Sequence, residues 1–213
     1  MISVTDILSY FTEPELLAWY LREGKVRCEE ISQEALRVGI RVDQIIMGEV
    51  REQPEAWNNV DLPILNCLQA WQRFKEDHPL FVSTITGVQT ELTDGEIVGH
   101  PDLEITEKER WGIVDVKTSK AIQPKHWTQV AAYLKLKWPL LLDQSSRPLP
   151  TYFLGILRLD KLTGTYEYKE LTAIHEIAYE IQVFNAYLTA YQHGQRIREV
   201  MRQQLEKEVL DVS

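Results

Sequence analysis

The sequence predicts an α/β fold: a small mixed β-sheet flanked by helices, with a helical N-terminal segment and a long C-terminal helix. Three observations predict it. Apolar residues recur at helical spacing up to about residue 78, β-branched runs bounded by turn signals occupy 79–170, and a Pro-free helical pattern follows from 171. At 213 residues, one domain spanning 1–213 is the expectation. Its parts are a helical stretch (1–78), an α/β core (79–170) and a closing helix (171–213).

Asp6 to Tyr10 reads as a short helical turn. Thr12 ahead of Glu13-Pro14 is an N-cap with proline in the first turn, and it opens a helix that Gly24 ends. Ser32 caps a helix to about Arg51, with Leu36, Ile40, Ile45 and Ile46 as its apolar stripe. Asp61 ahead of Pro63 caps a third, in which Ile64, Leu65, Leu68, Trp71 and Phe74 share a face.

After Pro79 the period changes. Phe81 to Glu91 is β-branched and partly alternating, Asp94-Gly95 signals a hairpin turn, and Ile97 to Ile105 reads as the returning strand. A third strand covers Trp111 to Thr118; Pro124 begins a helix that Trp127 to Leu136 continues. Thr151 to Leu159 and Thr165 to Glu170 form another hairpin, and Leu171 to about Leu210 is helical, with His193-Gly194 as its weak point. The helix between the third and fourth strands permits a parallel crossover, so the sheet is expected to be mixed.

The composition, 44% hydrophobic and 26% charged, excludes a disordered, collagenous or coiled-coil chain. A formal charge of -9 repels polyanions at long range, so a nucleic-acid site must be a local basic patch. Cys28 and Cys67 are too few for a disulfide framework, a structural zinc site or an iron-sulfur ligand set, and reduced thiols in a cytoplasmic protein are expected. The first residues carry Asp6, Glu13 and Glu15 and no basic leader, and no apolar run approaches the ~18 residues that cross a bilayer. Cytoplasmic location without membrane insertion is the expectation.

The chemistry concentrates in GHPDLEITEKERWGIVDVKTS. Alternation sends Val114 and Val116 to one face of the third strand, Asp115 and Lys117 to the other. Asp102, on the preceding strand, can be brought beside Asp115 by the hairpin register. Two buried carboxylates repel unless a cation lies between them, and hard oxygen donors favour Mg²⁺ or Mn²⁺ over zinc. Gly99 just upstream would let a backbone or a phosphate approach closely. Any one of these acids is ordinarily a solvated or ion-paired residue; the combination on a buried hairpin is not accounted for that way.

Gly99-x-x-Asp102, Asp115-x-Lys117 within IVDVKTS, and Gln129-x-x-x-Tyr133, in that order, resemble the signature of the PD-(D/E)XK nucleases. The likeness is to their RecB-like exonuclease group, which also includes phage recombination and CRISPR-adaptation nucleases. The resemblance covers about Glu91 to Tyr133 and implies a restriction-endonuclease-like core. It implies Asp102, Asp115 and Lys117 as the catalytic centre, with the two aspartates and the Val116 carbonyl as metal ligands. Lys117 would position or polarise the attacking water, its ammonium form disfavoured next to Mg²⁺. Gln129 and Tyr133, four apart on one helix face, would contact nucleic acid; a core role for Tyr133 and a solvated Gln129 stay open. Ser119, Lys120 and Lys125 are candidates for phosphate contacts, with plain surface roles open, and Trp127 is a candidate for stacking on a displaced base.

The sequence departs from that group where many members carry a histidine ligand on an early helix. The nearest position here is Asp43, a candidate metal ligand or an ordinary helix-surface aspartate, and Glu91 is the other candidate. His100 is a candidate supporting group, and His175-Glu176 lacks the second histidine of a zinc-protease helix. Trp19, Trp71 and Trp138 read as core. Phosphate-loop, nucleophile-elbow and dinucleotide motifs are missing, which argues against an ATP motor, a serine hydrolase and a Rossmann enzyme. The expected function is a Mg²⁺- or Mn²⁺-dependent deoxyribonuclease, an exonuclease acting on DNA ends or single strands, with a protein partner or self-assembly open. The alternative is a catalytically silent nucleic-acid-binding or assembly module on the same fold.

Overall fold

The strand-forming stretch between Ile85 and Leu171 builds the large sheet in the computed structural model, which describes residues 1–10, 14–57, 60–139 and 151–211. Its five strands lie in the order β2 (Ile85–Val88), β5 (Leu103–Glu107), β6 (Arg110–Lys117), β7 (Thr151–Leu159) and β8 (Tyr166–Leu171). β6 and β7 run parallel, with Arg110 opposite Thr151 and Lys117 opposite Arg158, and the other neighbours are antiparallel. Parallel neighbours need a crossover, and α5 (Pro124–Lys137) lies in it. The sheet is therefore mixed, as expected. A smaller sheet joins β1 (Ile2–Ser3), β4 (Ile97–Gly99) and β3 (Leu92–Thr93).

One expected strand is divided between the sheets and another is shortened. Ile97 to Ile105 breaks after Gly99 and resumes at Leu103. Pro101 has no N–H to give a ladder, which suits the chain to leaving one sheet and entering the other there. Phe81 to Glu91 supplies a 3₁₀ turn (Val82–Thr84) and β2, and Gln89, with φ of 50°, turns the chain out of the ladder. The Asp94-Gly95 turn closes β3 onto β4, with Leu92 opposite Gly99, while β2 pairs with β5. Asp94 Oδ1 accepts the Glu96 and Ile97 N–H groups, and Gly95 takes the positive φ.

Ser3 caps α1 (Val4–Ser9), its hydroxyl accepting the Asp6 amide. α2 (Pro14–Glu23) ends at Gly24, which adopts φ of 83°. The Thr12 cap lies outside the described residues. α3 runs from Lys25 to Val50, so Ser32 is inside it rather than at its start. Its buried stripe is Val38, Val42, Ile45, Ile46 and Met47. Leu36 and Ile40, expected in the core, are 63% and 50% exposed, because the face packed with α4 (Leu62–Asp77) carries Val38 and Val42, each two residues further along the helix. Asp61 caps α4 through its carboxylate. α6 (Ile174–Asp211) passes unbroken through His193-Gly194. Gly194 lacks a Cβ where one would meet the Tyr10 hydroxyl at 1.7 Å, so it admits the α1 end rather than breaking the helix.

Alternation along β6 and β7 sends side chains into two cores. Ile113, Leu154 and Ile156 meet α1, α5 and α6 through Ile7, Val130, Leu134 and Phe184. Val114, Phe153 and Leu157 meet α3 and α4 through Val42, Ile46, Leu68 and Trp71. The result is a sheet between two helical layers. Each fully buried large side chain is worth ~1.5–3 kcal/mol against exposure, which locks the register and, with it, the placement of the polar residues on β6.

Candidate active site

Register creates the site. Leu103 faces Val114 across β5 and β6, so continuing the antiparallel pairing by one residue sets Asp102 against Asp115. Period-two alternation turns Ile113, Asp115 and Lys117 toward α5, while Val114 and Val116 enter the α3–α4 side. Asp102 is held by its Oδ2, which accepts the Val116 N–H at 2.7 Å. Asp115 is 2% exposed, and its Oδ2 has no hydrogen bond. Lys117 Nζ lies 2.5 Å from that oxygen as an ion pair without the direction a hydrogen bond requires.

Helix α5 secures the lysine. Lys117 Nζ donates to Gln129 Oε1 at 3.1 Å, and Gln129 Nε2 donates to the Tyr133 hydroxyl at 2.8 Å. On the other side, α3 brings in Asp43, whose two oxygens accept from Gln89 Nε2 at 3.0 and 2.8 Å. Gln89 Oε1 in turn accepts from Arg51 at 2.7 Å. A cleft of 440 Å³ opens over Asp43, Asp102, Val116 and Lys117, and its lining also includes Ser119, Lys161, Leu36 and Ile40.

The electrostatics of this group are strained. Burial, then the charge of Asp115, holds the Asp102 carboxyl well above its ordinary value; Lys117 and the Val116 amide pull only partly back. Burial also raises Asp43, against the hydrogen bonds of Gln89 and the charge of Arg51. For Lys117 burial acts downward, yet Asp115 and then Asp102 outweigh it, so its ammonium is favoured. The expectation of a disfavoured ammonium concerns the site with a divalent ion bound; toward the carboxylates the lysine acts as a counter-ion. Burial, followed by Asp115, pushes Tyr133 up to about 12. Burial and the charge of Lys117 take His126 down to about 4.

Of the other expected residues, Glu91 is exposed just ahead of β3, and the charges acting most strongly on Asp102 are those of Asp115, Lys117 and Asp43. Tyr133 is 4% exposed, so it reaches the site only through Gln129 and offers nucleic acid no open face. Gly99 is packed beneath it: a Cβ there would meet the Tyr133 ring at 2.6 Å, so its missing side chain accommodates that ring rather than a phosphate. Ser119 lines the cleft, its hydroxyl donating to the Ala121 carbonyl at 2.9 Å, and Lys120 is exposed. Lys125 lines a separate groove between α5 and α6. Trp127 packs half-buried on the α5–α6 core, and His100 is exposed.

Sequence reading missed Gln89, Arg51, His126 and Lys161. Gln89 and Arg51 act through long-range bonds that no local pattern encodes. His126, three residues before Gln129, carried the only local signal.

No family model matches the chain, and no curated protein does. Among solved structures the chain is similar to an alkaline exonuclease, LHK-Exo, from Laribacter hongkongensis, with a TM-score of 0.42, 12% identity, and 94% of this chain and 93% of that one covered. LHK-Exo in complex with dAMP gives 0.36 at 12% identity over the same shares. SSO0001 gives 0.34 at 14% identity, over 87% of this chain and 74% of that one. Similarity this distant leaves the chemistry to be argued from the side chains themselves.

The donor set suits a hard divalent ion. Among the described residues no three His, Cys, Asp or Glu side chains form a metal cage. Mg²⁺ does not require one: it is commonly held by one or two carboxylates, keeping waters and taking substrate phosphate oxygens for the rest. The unbonded, buried Asp115 oxygen beside Asp102 is the observation that fits such an ion.

Proposed function

We propose that this chain is a divalent-metal-dependent deoxyribonuclease of the PD-(D/E)XK type, RecB-like in its motifs, hydrolysing phosphodiester bonds at DNA ends or in single strands. The observation that carries the reading is the Asp115 oxygen, buried without a hydrogen bond beside a second carboxylate held against it by register. Lys117 is ion-paired with that oxygen, but one ammonium does not balance two adjoining buried carboxylates, Asp115 and Asp102. Asp102, Asp115 and the Val116 carbonyl would hold Mg²⁺ or Mn²⁺, with Asp43 on the far side of the cleft as the further candidate. When bound, such an ion lowers the pKa of its water and offsets charge on the phosphoryl oxygens.

The chain's own residues account for the rest. Lys117, beside Asp115, would position or polarise the attacking water, and Gln129 restrains its direction. Tyr133 braces Gln129 from the core. A lining that holds both apolar and polar side chains suits an unpaired strand: base faces would rest against Leu36 and Ile40, while Ser119 and Lys161 would meet phosphates.

The test is incubation of end-labelled linear and circular DNA, single- and double-stranded, with Mg²⁺, Mn²⁺ or EDTA, for the wild type, Asp115→Asn and Lys117→Ala. Degradation of linear substrates only, abolished by EDTA and reduced at least ~100-fold by either substitution, is expected. Cleavage surviving EDTA sinks the proposal. DNA retention without turnover under any metal favours the silent binding module, and cutting of circles makes the enzyme an endonuclease.

A further inference from the structure

A second cavity, of 390 Å³, opens at the other end of the large sheet, between the end of α4, the 3₁₀ turn and strands β5 to β8. Its charged lining is three carboxylates, Asp77, Glu107 and Glu170, against one guanidinium, Arg110. Its walls include the rings of Phe81, Phe153 and Tyr168, with Phe81 and Tyr168 meeting edge to face at 6.0 Å.

Three sources of negative potential converge there. The faces of aromatic rings attract cations. One wall already shows this: the Arg110 guanidinium lies 4.7 Å from the Phe153 ring centre. That guanidinium is taken up by Glu107 at 3.1 Å and Glu170 at 2.6 Å, so it does not serve Asp77. Asp77 accepts the Tyr166 hydroxyl at 2.6 Å and, among the described residues, joins no ion pair. It is also the last residue of α4, where the final carbonyls add the negative end of a helix dipole.

We propose that this cavity binds an organic cation, an alkylammonium or guanidinium group, with its charge on Asp77 and its body against Phe81 and Tyr168. Two sources share that chemistry: a free polyamine, and a lysine or arginine side chain of a partner protein. The site is remote from Asp115 and does not depend on the nuclease reading.

The test is calorimetric titration of the whole chain at low ionic strength with putrescine, agmatine, and short peptides carrying lysine, arginine or the uncharged isostere citrulline. Saturable binding of the cations is expected, at least ~10-fold weaker for citrulline and weakened at least ~5-fold by Asp77→Asn, an isosteric change whose fold is checked by thermal melting. Shifts of the Phe81 and Tyr168 ring protons on titrating the wild type provide a readout that needs no variant. Tighter binding of free amines assigns the small-molecule source; tighter binding of peptides assigns the partner. No saturation by any cation below ~10 mM, equal binding of citrulline, an unchanged affinity in Asp77→Asn, or ring shifts elsewhere overturns the site.

Discussion

Replacing Asp102 with asparagine removes a negative charge from a buried group in which three carboxylates face one ammonium. Cross-strand neighbours of this kind are ~5 Å apart, and at an effective dielectric of ~20 each charge pair is worth ~3 kcal/mol. Asp115 and Asp43 repel Asp102 while Lys117 attracts it, and Asp43 is the weakest of the three influences. Attraction and the nearer repulsion roughly cancel, leaving the weaker repulsion and the burial cost, which the Val116 hydrogen bond and the burial cost of the asparagine amide itself offset to a net ~1–2 kcal/mol. Asparagine keeps an oxygen for the Val116 N–H, so the main structural bond survives. The variant should therefore be more stable than the wild type in EDTA, melting ~2–8 °C higher, and inactive as a nuclease. Calorimetric melting with EDTA and then with MgCl₂ measures both halves of the claim. Mg²⁺ should raise the melting point of the wild type and change the variant less. If Asp102→Asn melts below the wild type in EDTA, that carboxylate is a net structural support and the electrostatic reasoning fails.

Tyr133→Phe removes only the acceptor of the Gln129 amide and should cost ~1 kcal/mol in denaturant unfolding with less than a ~10-fold loss of activity; a larger loss would mean that the hydroxyl meets substrate. Gly99→Ala forces a Cβ against the buried Tyr133 ring, and a loss of ~1–3 kcal/mol is expected; an unchanged melting point would contradict the packing described. His126 should give the fold a pH dependence. Its neutral Nδ1 accepts the Gln123 N–H at 3.2 Å, and its depressed pKa means that the unfolded chain takes up the proton first. Its contribution is complete above pH 6.5 and is lost as pH falls from there to about 4, an effect of ~1–2 kcal/mol after allowing for partial solvent screening. His126→Gln should flatten stability over that window, and an unaltered slope would refute the assignment.

Local patterns were informative wherever a short-range rule decides conformation. The Asp61 and Pro63 start of α4, the Asp94-Gly95 turn, Gly24 as a helix stop and the alternation along β6 all follow from dihedral preferences and period. Readings failed where packing between distant elements chose among locally equivalent options. Leu36 and Ile40 have the spacing of a core stripe, but α4 packs on the neighbouring stripe of α3, and the pair lines a cleft instead. Gly194 looks like a helix breaker until Tyr10 is seen against it.

By itself, the sequence determined the α/β class and the alternation that sends Asp115 and Lys117 to the same face of one strand, because both follow from the periodicity of the backbone. Only the tertiary structure decided that Asp102 leaves one sheet for another immediately before meeting Asp115, that Gln89 and Arg51 hold Asp43 across the cleft, and that Tyr133 is a brace in the core. Those arrangements depend on charges and surfaces brought together from residues far apart in the chain. Their energies arise only when water has been excluded between them.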